Sequence, residues 1–98
     1  MDWNVIWTAT AKNSLADIKH YLLLKFTQKE FDKLKESINK QITTIQNGNV
    51  KHIYFKRTDI HKVVLHKNTS MYYRVTGTTI YVMAIWDNRR MKGKDDYE

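Results

Sequence analysis

Arg89 and Arg90 follow the apolar run Ile80–Asp87 after a single residue, Asn88, and this strand-end pair is the strongest chemical cue in the chain. Two guanidinium forks side by side can grip a phosphate or a carboxylate bidentately. The competing assignment ties them to Asp87 or to the acidic residues Asp95, Asp96 and Glu98. Upstream, strict strand alternation puts Lys62 with His66 on one face, and Tyr72 with Arg74 on one face of the next run. Lys62, Arg74 and Arg89 would then share a cationic docking surface, with Tyr72 beside it and Lys67 in the intervening turn. On that open face His66 is a candidate general base, because imidazole changes charge near neutral pH. His61 falls with Val63 and Leu65, where a packed histidine with a single hydrogen bond is expected. The four histidines have no spacing that suits a metal ion, and no cofactor is expected.

The elements that must position these side chains are legible from periodicity. Trp3–Trp7 is short, aromatic and β-branched, and reads as a first strand. Thr8 or Thr10 can cap a helix whose apolar positions Leu15, Ile18, Leu22 and Phe26 recur every three to four residues. Thr27-Gln28-Lys29-Glu30 has the pattern of a capping box, with the Thr hydroxyl and the Glu carboxylate each serving an orphan amide. Phe31, Leu34, Ile38, Ile42 and Ile45 mark one face of a second helix, and Asn47-Gly48-Asn49 supplies a left-handed stop. The short link predicts an antiparallel helical hairpin. Residues 49–59 read as a basic connecting loop. Ile60–His66, Met71–Val75 and Thr79–Asp87 read as three strands, the last apolar on both faces and therefore central or covered by a partner. The predicted order is β-α-α-β-β-β: an α+β domain with a helical hairpin on a small, mostly antiparallel sheet.

Composition bounds the rest. A chain of 98 residues makes one domain over its whole length, with 91–98 expected to fray. The net charge of +7 is uneven, since residues 51–94 carry ten Lys and Arg against two Asp. Such a field attracts anions and can supply non-specific nucleic-acid affinity. No run approaches the roughly 20 apolar residues that span a bilayer, and the first residues lack the pattern of a secretory leader. Cysteine is absent, which fits a reducing cytoplasm.

In order and spacing the chain resembles the RelE/ParE family of bacterial toxins from type II toxin–antitoxin pairs. The likeness rests on Trp7-Thr8-Ala9-Thr10-Ala11 entering the first helix, and on Ile18 and Tyr21-Leu22 inside it. It rests equally on Lys62–Leu65, Tyr72–Val75 and Ile80–Ile85, followed by Trp86–Arg90. The resemblance implies a cytoplasmic, growth-inhibiting toxin that forms a hetero-oligomer with a small, often acidic antitoxin. RelE-like members cleave mRNA on the ribosome, whereas ParE-like members poison DNA gyrase and are not nucleases.

By the same resemblance Lys62 and Arg89 match family cations. Arg74 could stand in for another, and His66 would join them in a nuclease. Val64 and Ser70 occupy positions where RelE-like nucleases carry further cations. Arg89, Arg90, Tyr72 and Lys67 are the expected target or phosphate contacts. Leu22, Leu23, Tyr81 and Met83 are the expected antitoxin contacts. A non-toxic, basic nucleic-acid-binding domain is the alternative from a different functional class.

Overall fold

The computed structural model describes residues 3–48, 52–66 and 68–87. Strand β1 (Asn4–Trp7) leads into helices α1 (Ala9–Lys25) and α2 (Gln28–Gln46). Strands β2 (Ile53–Phe55), β3 (Ile60–His66), β4 (Thr69–Thr76) and β5 (Thr79–Asp87) follow. They form one five-stranded sheet in the order β1-β5-β4-β3-β2. β1 runs parallel to β5, and every other pair is antiparallel. The α+β expectation holds, with one strand more than expected: β2 lies inside the stretch read as a loop. Three residues flanked by His52 and Lys56 are too short to show a period.

Local chemistry accounts for the helix ends. The Thr8 hydroxyl accepts from the Ala11 amide at 3.1 Å and donates to the Val82 carbonyl at 2.9 Å. One side chain thus caps α1 and fastens it to β5. Thr27 is the N-cap of α2, but its hydroxyl makes no capping bond; the Glu30 amide donates instead to the Thr27 carbonyl at 3.1 Å. The expected reciprocal box is therefore replaced by a backbone turn. Gly48, at φ +78°, gives the left-handed stop after α2.

The core lies between the helical hairpin and one face of the sheet. Ala11, Ile18 and Leu22 from α1 and Phe31, Leu34, Ile38 and Ile45 from α2 meet Val63, Met71, Tyr73, Ile80, Val82 and Ile85. β5 also packs on the opposite face, where Ala84 and Trp86 cluster with Tyr72 and are flanked by Phe55, Ile60 and Met83. The two-sided apolarity of this run fits its place between β1 and β4.

Two register shifts set which side chains face where. One lies between Tyr72 and Tyr73 opposite β5, so Met83 and Ala84 both turn to the face away from the helices. The other lies between Val64 and His66 on β3.

Candidate functional site

The face away from the helices carries Lys62 and Arg74, as alternation predicts. Lys62 pairs with Tyr72 across β3 and β4, and its ammonium stands 5.8 Å from the centre of the Tyr72 ring. Tyr72 itself is 1% exposed. Its ring is packed among Ala84, Trp86 and their neighbours, which corrects its reading as an accessible contact. Arg74 is engaged by its own fold. Its Nη2 donates to the Thr58 carbonyl at 2.8 Å and its Nε to the Asp59 carbonyl at 3.2 Å. The Asp59 carboxylate lies 3.8 Å from the same Nε. Asp59 adopts a left-handed φ of 58°, so the guanidinium clamps the tight turn between β2 and β3. Val64 is exposed and sits opposite Ser70, so no cation occupies either position.

His66 departs from the alternation. The bulge after Val64 gives it Thr69 as partner, and it lines a cavity of about 40 Å³ with Leu22, Glu30, Lys33, Leu34 and Ser37. The expectation that it shares a face with Lys62 is corrected: one extra residue moves a side chain to the other side of a sheet. Beside this cavity the buried Thr69 hydroxyl donates to Asp87 Oδ2 at 2.9 Å. Arg89, Arg90 and Lys67 lie outside the described residues.

Among the expected antitoxin contacts, Leu22 is a core residue at 1% exposure, because it continues the Leu15–Ile18 stripe. Leu23 is 43% exposed, as are its neighbours Leu24 and Phe26 to similar or greater degree. Tyr81 and Met83 are partly buried on the face away from the helices.

Two arrangements escape a reading of the sequence alone. The first is a groove on the helical hairpin, lined by Trp7, Lys12, Leu15, Ala16, Lys19, Phe31 and Lys35. Its floor is apolar, and three lysines rim it. Lys19 and Lys35 place their ammonium groups 5.5 Å and 5.2 Å from the same Phe31 ring, where its π-face attracts both. Lys12 and Lys19 lie seven residues apart, and that helical spacing was the available signal.

The second arrangement is a row of rings on the helix side of β2, β3 and β4. His61 stacks on Tyr73 with centroids 4.9 Å apart and planes 13° from parallel. Tyr73 hydrogen-bonds His52 Nδ1, while His52 Nε2 reaches Gln41 Oε1 at 3.3 Å. With the Gln41 oxygen as acceptor, Nε2 carries the proton and Nδ1 accepts from the Tyr73 hydroxyl. Burial and the neighbouring His61 lower the pKa of His52. Burial lowers that of His61, against an opposing pull from Asp59. Burial pushes the Tyr73 phenol up to about 12. All three groups are therefore neutral near pH 7, and the row serves structure before chemistry.

The comparisons with known proteins agree with this geometry. A family model described as the ParE toxin of type II toxin–antitoxin systems, parDE, matches residues 5–92. The chain belongs to the ParE toxin family. It is accordingly the toxin of a type II toxin–antitoxin pair.

Solved structures share the fold at low identity. A chain of the chromosomal ParDE system from P. aeruginosa matches with a TM-score of 0.68 and 18% identity, covering 87% of this chain and 95% of that one. A copper-bound mutant toxin from Helicobacter pylori matches at 0.65 and 10%, covering 92% and 99%. The E. coli DinJ–YafQ complex contributes a chain at 0.62 and 10%, covering 94% and 100%. No curated protein sequence matches significantly. Among its described residues, then, this toxin has a sheet face away from the helices on which Arg74 is held by the β2–β3 turn, and a lysine-rimmed groove on its helices.

Proposed function

We infer that this ParE-family toxin acts by binding its target without cleaving RNA, and that the target is DNA gyrase. The observation that carries this is the engagement of Arg74 by the β2–β3 turn. Cleavage through a 2′-hydroxyl needs a proton acceptor and several cations around the pentacovalent phosphate. Among the described strand residues, the cations on the face away from the helices are Lys62 and the clamped Arg74, and His66 faces the other way. Arg89 and Arg90, outside the described residues, are further candidate target contacts in this reading, as is Lys62.

The same reading gives the toxin a cognate antitoxin and places both in the cytoplasm as a hetero-oligomer. The E. coli DinJ–YafQ complex, which contains a chain of the same fold, supports a protein partner. An acidic, amphipathic antitoxin segment suits the groove over Phe31, because its apolar anchors would meet Leu15 and Phe31 while its carboxylates meet Lys12, Lys19 and Lys35. Leu23, Tyr81 and Met83 are further candidate contacts.

The test is induction of this gene alone, with supercoiling and message integrity followed in parallel. Loss of supercoiling with intact messages is the expected result. Messages cut during translation while supercoiling persists would overturn the assignment.

A further inference from the structure

β2 is the last strand of the sheet, and Tyr54 at its centre is 49% exposed. The ring is nevertheless held in place. Its hydroxyl donates to Asp59 Oδ1 at 2.8 Å, and its centroid lies 4.7 Å from that of His61, 35° from parallel. His61 stacks on Tyr73, and Tyr73 meets His52 edge-on at 5.6 Å. Tyr73, His61 and Tyr54 thus run from the core to the surface, and the outermost ring is fixed at both its edge and its inner face. Lys56 and Arg57 are exposed on the turn that follows. Asp59, two residues beyond Arg57, is matched by Arg74, so its charge opposes an incoming anion only weakly.

We propose that Tyr54, Lys56 and Arg57 form a docking site for single-stranded nucleic acid, with a base stacked on the outer side of Tyr54 and adjoining phosphates on the two cations. Every base has a π-face that suits an aromatic platform, and the flanking charge tracks the backbone. An acidic peptide would use the same cations, but a flat ring pinned in advance offers it little. Because the hydrogen bond to Asp59 and the His61 stack already fix the ring, stacking costs little side-chain freedom. The site lies on the β2–β3 hairpin, apart from the helical groove, and stands whether or not gyrase is the target.

Fluorescence anisotropy of the purified chain with a short labelled oligothymidylate tests this directly, because the readout is binding and not cleavage. Tyr54→Ala is expected to weaken binding roughly 5- to 150-fold, the range for losing one stacked base. Tyr54→Phe keeps the ring and should stay within about threefold of the parent. Removing Lys56 and Arg57 together should flatten the plot of log affinity against log salt by about 1.4, at about 0.7 per phosphate contact. If Tyr54→Ala loses its helical circular dichroism, Tyr54→Leu carries the same comparison. Unchanged affinity in Tyr54→Ala, no binding at low salt, or equal competition by polyglutamate would each overturn the proposal.

Discussion

Arg74→Ala separates a clamp from a target contact. The guanidinium makes two hydrogen bonds to carbonyls of the β2–β3 turn, at 2.8 Å and 3.2 Å, and lies 3.8 Å from the Asp59 carboxylate. A shielded charged hydrogen bond contributes about 1.5–3 kcal/mol, whereas exposed ion pairs contribute well under 1 kcal/mol. With its side chain 38% exposed, Arg74 falls between these limits, so the whole clamp is worth roughly 1–2 kcal/mol. In a domain of this size each kcal/mol moves Tm by roughly 4–8 °C, so thermal denaturation should show a drop on the order of 4–16 °C. Arg74→Lys should recover little of it, because an ammonium cannot reproduce the fork that spans Thr58 and Asp59. If gyrase is the target as proposed, inhibition of supercoiling, measured well below Tm and per folded molecule, should stay within about twofold of the parent in both variants. An unchanged Tm with lost inhibition would refute the clamp and make Arg74 a contact with the target.

Other perturbations test other parts of the account. Ser14→Ala removes the acceptor of the Ile85 amide, bonded at 3.0 Å, and should cost about 1–3 kcal/mol in urea denaturation with an unchanged m-value. Acid should destabilise the protein through His52 and His61. Both have folded-state pKa values below the ordinary 6.5, so the unfolded chain binds more protons. Their contribution is complete above pH 6.5 and is lost as pH falls below it; a His52→Gln, His61→Phe double variant should flatten that slope. Lys19→Glu reverses one charge on the groove over Phe31. It should slow antitoxin association severalfold at low salt and much less at high salt, as surface plasmon resonance would show.

The helices, the order of elements and the central place of β5 are legible in the sequence because each rests on a period that local burial imposes. The apolar stripe Phe31–Leu34–Ile38–Ile45 is buried as its spacing requires. What escapes a periodic reading depends on contacts between distant segments. The bulge at Val64/His66 inserts one residue, and alternation then assigns His66 to the wrong face. The engagement of Arg74 depends on a turn fifteen residues earlier, which exists only because Ile53–Phe55 pairs with β3. Leu22 shows the reverse case: its spacing already places it in the core stripe, and the leucines that follow it are the exposed ones. The groove needs both helices side by side before Lys12, Lys19 and Lys35 surround one ring.

The pairing of β1 with β5 carries a consequence for how the toxin comes into being. Asn4 lies beside Thr79, and the Thr8 hydroxyl that starts α1 reaches the Val82 carbonyl. A nascent chain has made its first strand and both helices long before their partner strand leaves the ribosome, and sequence-distant contacts of this kind form late. The sheet closes only once β5 has been made, so a translation product that stops before Thr79 lacks the frame that holds the β3–β4 surface, and the cell meets a working toxin only after that strand has left the ribosome.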